Sequence, residues 1–249
     1  MKCTGLIKKG HLYFLKKFLE AGAIAVFSDR YKDLGFSAGE DLRPNRREAL
    51  KNSGIDFRRL VCAGQIHGKR ILCVDRNYAG KGALSLKGRL EGVDGFITRQ
   101  EELPLAVFTA DCLSIFILDP KTRAVGLIHA GWRGTRAGIA TKAVEMMRKR
   151  FCSRAEDLFI GFGPAIRKCC YEVGREFGKL FSYGLIKRNE EYLLDLIACN
   201  RLQLRKTGVK EKNIFDSRLC TGCEKKRFFS FRREKEKAGR MISAIMLKA

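Results

Sequence analysis

The chain has 249 residues, 45% of them apolar, and its 50 Lys and Arg outweigh 27 Asp and Glu for a net charge of +23. That apolar share supplies a core and excludes a disordered chain, and no run reaches the ~18 apolar residues of a membrane-spanning helix. The positive charge suggests an anionic partner: nucleic acid, a membrane surface or a phosphate-bearing small molecule. Basic residues are spread over the whole length, however, with local clusters only at residues 43–47, 225–227 and 232–237. No aromatic-interleaved nucleic-acid motif accompanies them, so the expectation is no specific nucleic-acid partner and no membrane.

Ten cysteines would suit a disulfide scaffold in an exported protein. Residues 12–27 are interrupted by Lys16, Lys17 and Glu20, unlike a secretory leader. A cytoplasmic protein with reduced, mostly buried thiols is therefore expected. No linker, repeat or low-complexity tract divides the chain, and its four prolines are scattered. One domain over residues 1–249 follows, with residues 1–22 at its periphery.

In chain order, residues 1–20 are basic and weakly apolar, and His11 reads as a surface or edge residue. A strand is expected at 23–27, a loop at 35–43, and a short helix at 45–52 after Pro44. Strands follow at 59–64 and 70–74, then a glycine-rich excursion at 78–92 and a brief strand or turn at 93–98. Leu105–Thr109 and residues 113–118 are apolar, β-prone runs separated by Ala110-Asp111-Cys112. Residues 124–128 read as a buried strand delivering His129 into a Gly-Trp-Arg-Gly turn. Residues 135–151 keep apolar positions on one face and predict a helix with Thr135 as its N-cap. A strand at 158–160, a turn at 161–166, helices at 173–181 and 193–206, and strands at 213–215 and 240–247 complete the chain. Many strands with interspersed helices imply an α+β (α/β) domain with mixed sheets and helices on the outer faces.

The three histidines are His11, His67 and His129. His67 and His129 each follow an apolar run and sit beside glycine, and Cys112 stands between two apolar runs. Three strand ends converging on one pocket would bring imidazole, thiolate and imidazole together. A His₂Cys set with an open fourth position is a catalytic zinc arrangement. The separations, 112 − 67 = 45 and 129 − 112 = 17, match no local metal signature. Rival chemistries use the same residues. A four-copper laccase needs roughly ten imidazoles and is excluded by the histidine count. A mononuclear copper site wants an axial Met, and Met1, Met146, Met147, Met241 and Met246 all lie away from these residues in sequence. Cys112 with His67 or His129 would also serve a thiol hydrolase. The third alternative is a basic nucleic-acid- or partner-binding module with a structural zinc held by Cys220 and Cys223 with Cys169 and Cys170, although a lone CxxC is a weak signal and these thiols are expected to be unmetallated.

The blocks QIHG (65–68), VDGFIT (93–98), TADCL (109–113), HAGWRG (129–134), GPAIRKCCYEVG (163–174) and FFSFRR (228–233) together resemble the YfiH family of laccase-domain proteins, in order and approximate spacing, over residues 23–248. The resemblance implies a single-domain α/β/β/α layered fold and one zinc ion (copper in older descriptions) held by His67, Cys112 and His129. It implies phosphorolysis of adenosine, inosine and methylthioadenosine and deamination of adenosine, with purine nucleosides and phosphate as partners; earlier reports of this family described polyphenol oxidases. On this reading Arg133 meets phosphate or developing negative charge. Asp111 is a general acid/base or orients a histidine, Glu172 is its rival, and Arg30, Arg46 and Gln65 bind substrate. The chain departs from the family pattern in a shortened, glycine-poor loop after Arg30, at residues 31–39.

Overall fold

A computed structural model describes residues 5–35, 41, 43–85 and 88–249. Its largest sheet has the strand order Leu6–Lys9, Leu12–Leu15, Ala23–Ser28, Met241–Leu247, Leu105–Thr109, Val61–Gly64, Leu90–Glu91. A second sheet runs Ile214–Asp216, Phe159–Phe162, Leu113–Asp119, Ala124–Ala130, Gly95–Thr98, Ile71–Cys73. Both mix parallel and antiparallel pairs. A small third sheet joins Glu172–Val173, Glu191–Leu194 and Leu185–Arg188.

The central strands are apolar along their whole length because both of their faces are covered. Alternate residues point opposite ways, so each strand feeds two cores. Phe27, Val107 and Ile245 of the first sheet meet Phe96, Phe116 and Leu127 of the second in the layer between the sheets. On the far side of the first sheet, Val26, Ala106 and Ile242 pack under Ala49 and Leu50 of the helix Arg43–Leu50. Ile117 and Ile128, on the far side of the second, pack under Ile139, Val144 and Met147 of the helix Ile139–Phe151. The result is helix, sheet, sheet, helix: the mixed α+β, α/β/β/α layering that the sequence implied. Each large side chain buried this way contributes about 1.5–3 kcal/mol. One polar tie crosses the layer, Ser243 Oγ donating to Ser114 Oγ at 2.9 Å.

Several local expectations are corrected. Residues 6–15 form a hairpin, Lys9 opposite Leu12, whose second strand is buried, and Phe18 lies in the inter-sheet core. The hairpin forms the sheet's edge: Lys8 and Lys9 of its first strand are exposed, yet the whole of its second belongs to the interior. His11, expected as a surface or edge residue, sets Nδ1 3.1 Å from Asp29 Oδ1 and stacks on Tyr31. The helix expected at 135–151 is two helices, Trp132–Arg136 and Ile139–Phe151, because Gly138 adopts φ 78° between them. Thr135 is therefore not a cap; it is buried and its Oγ1 accepts from Asn200 Nδ2. In place of a helix at 173–181 there is a two-residue strand and a 3₁₀ turn, Arg175–Lys179. The helix expected from 193 begins at Leu196, where Asp195 caps Ala198 N, and Leu193 and Leu194 belong to a strand. The short second helix starts at Arg43, before Pro44. Much of the loop expected at 35–43, and of the departure at 31–39, lies outside the described residues. Among the described residues no helix is long and apolar enough to cross a membrane.

Candidate metal centre

The strand Ala124–Ala130 carries His129 inside it, one residue before its end, rather than releasing it into the following turn. Its ring shares a face with Val125 and Leu127 and so points into the layer between the sheets. His67 arrives from the neighbouring sheet, three residues beyond Val61–Gly64, with a left-handed φ of 63°. That turn is gathered onto one carboxylate. Asp94 Oδ1 accepts from His67 N at 2.9 Å, and Oδ2 accepts from Gly68 N at 2.7 Å. The same Oδ1 lies 2.9 Å from His129 Nδ1, and the Asp94 carbonyl accepts from His129 N at 2.7 Å. One buried acid thus orients both histidines, and with His129 Nδ1 engaged its Nε2 is left for a ligand.

Cys112 closes the set from the turn between Leu105–Thr109 and Leu113–Asp119, directly after Asp111, whose φ is 91°. The ligand atoms of His67, Cys112 and His129 all lie within 4.8 Å of one another, and the two imidazoles meet edge to face. Gly131 makes the approach possible: a Cβ there would stand 3.0 Å from Cys112 Sγ and 3.1 Å from His67 Cδ2. Burial alone would raise the Cys112 thiol, but the charge and hydrogen bonds of His129, with those of His67, lower it from 9.0 to about 6. Burial would likewise lower His129, yet Cys112 and Asp94 raise it from 6.5 to about 9. Asp94 is held below its usual range, the His129 hydrogen bond and the N–H groups of Gly68 and Ile66 outweighing its burial. Without a cation, then, the cluster is a thiolate beside an imidazolium. A thiolate and two oriented imidazoles, with no Cβ on Gly131 to crowd them, fit a zinc- or copper-class ion.

The other sequence candidates separate into two groups. Glu172 lines a cleft of about 440 Å³ with Trp132, Tyr171, Val173, Phe177 and Arg232. Its carboxylate makes no hydrogen bond or ion pair among the described residues, and its carbonyl accepts from Arg232 Nη2 at 2.7 Å. Arg133 is exposed at this end, its guanidinium 4.5 Å over the Trp132 ring. Tyr171 ties cleft to cluster: burial first, then the Cys112 thiolate, pushes its hydroxyl well above the usual phenol range. A larger hollow, about 690 Å³, opens beside Arg148, Lys149 and Thr207; neither hollow is lined by a member of the cluster, and only the smaller one holds Tyr171, which feels the Cys112 charge.

The second group is structural. Asp111 Oδ1 accepts from Thr221 Oγ1 at 2.6 Å, and Oδ2 accepts from Ser230 Oγ and Arg232 N at 3.1 and 2.7 Å. Asp111 therefore anchors the 221–232 segment and touches neither histidine; the orienting role expected of it falls to Asp94. Gln65 braces the strand Leu105–Thr109, accepting from Phe108 N at 2.7 Å and donating to Phe108 O at 2.8 Å. Arg46 is 2% exposed and donates to the carbonyls of Leu34, Gly35, Gly82 and Ala83. It holds loops together, with Nε, Nη1 and Nη2 all serving backbone carbonyls. Arg30 donates to Lys225 O and Glu234 and covers Phe229, away from the cluster. Asp94 and Arg232 are the residues that reading the sequence passed over, although both stand inside quoted blocks.

The model of a family described as multi-copper polyphenol oxidoreductase laccase matches residues 30–248. A purine nucleoside phosphorylase, YlmD, of Geobacillus stearothermophilus is 36% identical over 225 residues, covering 86% of this chain and 82% of its own. An adenosine deaminase, RL5, from an unknown prokaryotic organism is 33% identical over 204 residues, 78% of each chain. The crystal structure of YlmD from G. stearothermophilus superposes with a TM-score of 0.93 at 31% identity, over 98% of this chain and 99% of that one. The chain belongs to the laccase-domain family, with the YfiH- and YlmD-type proteins.

Proposed function

We propose that the chain is a zinc-dependent enzyme of purine nucleosides, cleaving adenosine, inosine and methylthioadenosine with phosphate and deaminating adenosine. The observation that carries this reading is the His67–Cys112–His129 cluster beside an aromatic, arginine-flanked cleft. Relatives named purine nucleoside phosphorylase and adenosine deaminase support the nucleoside class. A bound zinc ion would supply a Lewis acid beside the cleft. Trp132, Tyr171 and Phe177 offer flat apolar walls for a purine. Arg133 and Arg232 offer guanidinium donors for phosphate, Arg133 with its own fork free of carboxylates. Glu172 is the proposed acid/base, handing a proton to the departing base or the leaving amine, since both oxygens of Asp111 are already engaged. Asp94 keeps His67 and His129 in register.

Zinc is preferred to copper because none of the five methionines stands near the three ligands in sequence, and three histidines cannot hold several coppers. The low thiol pKa favours one second reading, a Cys112 thiol hydrolase. Incubating the purified chain with inosine and phosphate, and separately with adenosine, separates the two. Base release and inosine formation that disappear on chelation and return with zinc support the enzyme proposed here. Activity on esters that survives chelation and is lost on alkylation of Cys112 would support the hydrolase.

A further inference from the structure

Away from the cluster just described, the turn at 167–171 meets the segment 219–224. Cys169 Sγ lies 3.5 Å from both Cys220 Sγ and Cys223 Sγ, and Cys170 Sγ lies 3.4 Å from Cys223 Sγ. All four sulfurs fall within 4.8 Å of one another. Tetrahedral zinc with Zn–S bonds of ~2.3 Å has S···S edges of roughly 3.8 Å. Three nearly equal contacts shared among four sulfurs describe a common centre better than one covalent pair. We propose that Cys169, Cys170, Cys220 and Cys223 form a second, closed tetrathiolate site for a structural zinc ion.

The backbone is built for such a site. Cys220 is bridged to Ala165, with Thr221 N donating to Ala165 O at 3.1 Å and Glu224 N to Cys220 O at 2.9 Å. Gly222 lets Cys170 in, since a Cβ there would stand 2.7 Å from Cys170 Cβ and 2.9 Å from its Sγ. Binding releases the thiol protons and leaves a dianionic centre. Arg233, which donates to the carbonyls of Thr221 and Gly222, and Arg167, which donates to Leu219 O, bring positive charge to the turn. A four-sulfur set leaves no position for a substrate, so the role is structural. It ties 167–171 to 219–224, and through Thr221 it steadies Asp111, the residue before Cys112.

The test is metal content per folded chain, with the full-length protein purified under reductant after growth in zinc. Two zinc ions per chain are expected, one remaining in Cys112→Ala and one in the double variant Cys170→Ser, Cys223→Ser. Cobalt substitution should add thiolate-to-metal charge-transfer absorption that falls to a fraction in the double variant and stays largely intact in Cys112→Ala. If the double variant does not fold, stepwise mercurial titration of the wild-type protein should release the second zinc in parallel with four thiols. A single zinc per wild-type chain that is lost in Cys112→Ala, a disulfide among these cysteines in the purified protein, or full metal retention in the double variant would each overturn the proposal. Because Cys112→Ala reports on the other site alone, failure here leaves the nucleoside reading standing.

Discussion

Asp94 and His129, 35 residues apart, are joined twice: Asp94 O accepts from His129 N at 2.7 Å, and Asp94 Oδ1 lies 2.9 Å from His129 Nδ1. Main chain fixes the position of the histidine and side chain fixes its ring, so a single residue sets both the place and the tautomer of one metal ligand. Through His67 N and Gly68 N the same carboxylate shapes the turn carrying the other histidine.

Asp94→Asn keeps the volume but turns one acceptor oxygen into an N–H₂ group that must face the N–H of Gly68 or the His129 ring. Outer-sphere partners of metal-bound histidines contribute on the order of 10–100-fold to affinity. Chelator competition should show zinc held at the histidine site weakened by that factor, with the fold retained. Unchanged affinity would mean that the cluster orients itself without Asp94.

Gly131→Ala isolates sterics from backbone strain. The residue has φ −75° and ψ 178°, open to any amino acid, so alanine meets no conformational penalty there. The added Cβ would nevertheless stand at the edge of contact with Cys112 and His67. A melting temperature close to wild type, together with at least about tenfold weaker zinc binding at that site, is expected. Equal loss of stability in metal-free protein would show that Gly131 serves packing instead.

Much of the site was legible because its ligands end or follow apolar runs: His67 after Val61–Gly64, Cys112 between two strands, His129 in Ala124–Ala130. Strand alternation then predicts which way His129 points; mixed sheets with helices outside follow from strands interspersed with helices, while the α/β/β/α order is implied by the resemblance to the YfiH family. Asp94 was not legible as a partner, because its role depends on Gly95–Thr98 lying beside the histidine strand, with Gly95 opposite Ile128. Nothing within the block VDGFIT states that pairing. Arg46 carried a local signal that went unread. It precedes Ala49 by three and Leu50 by four, and so shares their buried face. The first hairpin was hidden by its charge, although Gly10-His11 between Leu6–Lys9 and Leu12–Leu15 is a turn of the right length. Gly138 breaks a helix whose apolar periodicity continues across it, and periodicity alone cannot see the break.

Arg46→Ala is predicted to destabilise without touching substrate use. It leaves the carbonyls of Leu34, Gly35, Gly82 and Ala83 to be satisfied inside a buried site. A loss of about 3 kcal/mol or more in urea denaturation is expected. At a temperature where the variant stays folded, the apparent affinity for nucleoside should be unchanged. A raised KM with undiminished stability would return Arg46 to the substrate site.

In metal-free protein the Cys112–His129 pair makes stability depend on pH in two directions. The depressed thiol contributes stability that is complete above 9.0 and lost as pH falls through about 6. The raised imidazole contributes stability that is complete below 6.5 and lost as pH rises through about 9. Between about 6.5 and 9 the two slopes cancel and above 9 both are spent, so the stability of chelator-treated protein should be nearly flat from about 6.5 upward, with only a shallow loss as pH falls through about 6. Site-mapped alkylation of Cys112 should follow an inflection near pH 6; an inflection near 9 would show an unperturbed thiol.

The central claim is that the His67–Cys112–His129 cluster binds the metal on which nucleoside turnover depends. The most direct measurement is base release from inosine and phosphate while metal-free protein is titrated with zinc, in wild type and in His129→Ala. Wild-type turnover should rise with zinc filling of this cluster, and His129→Ala should remain inactive at every zinc concentration while holding its fold. Turnover by the metal-free chain, or zinc-restored turnover in His129→Ala, would contradict the account.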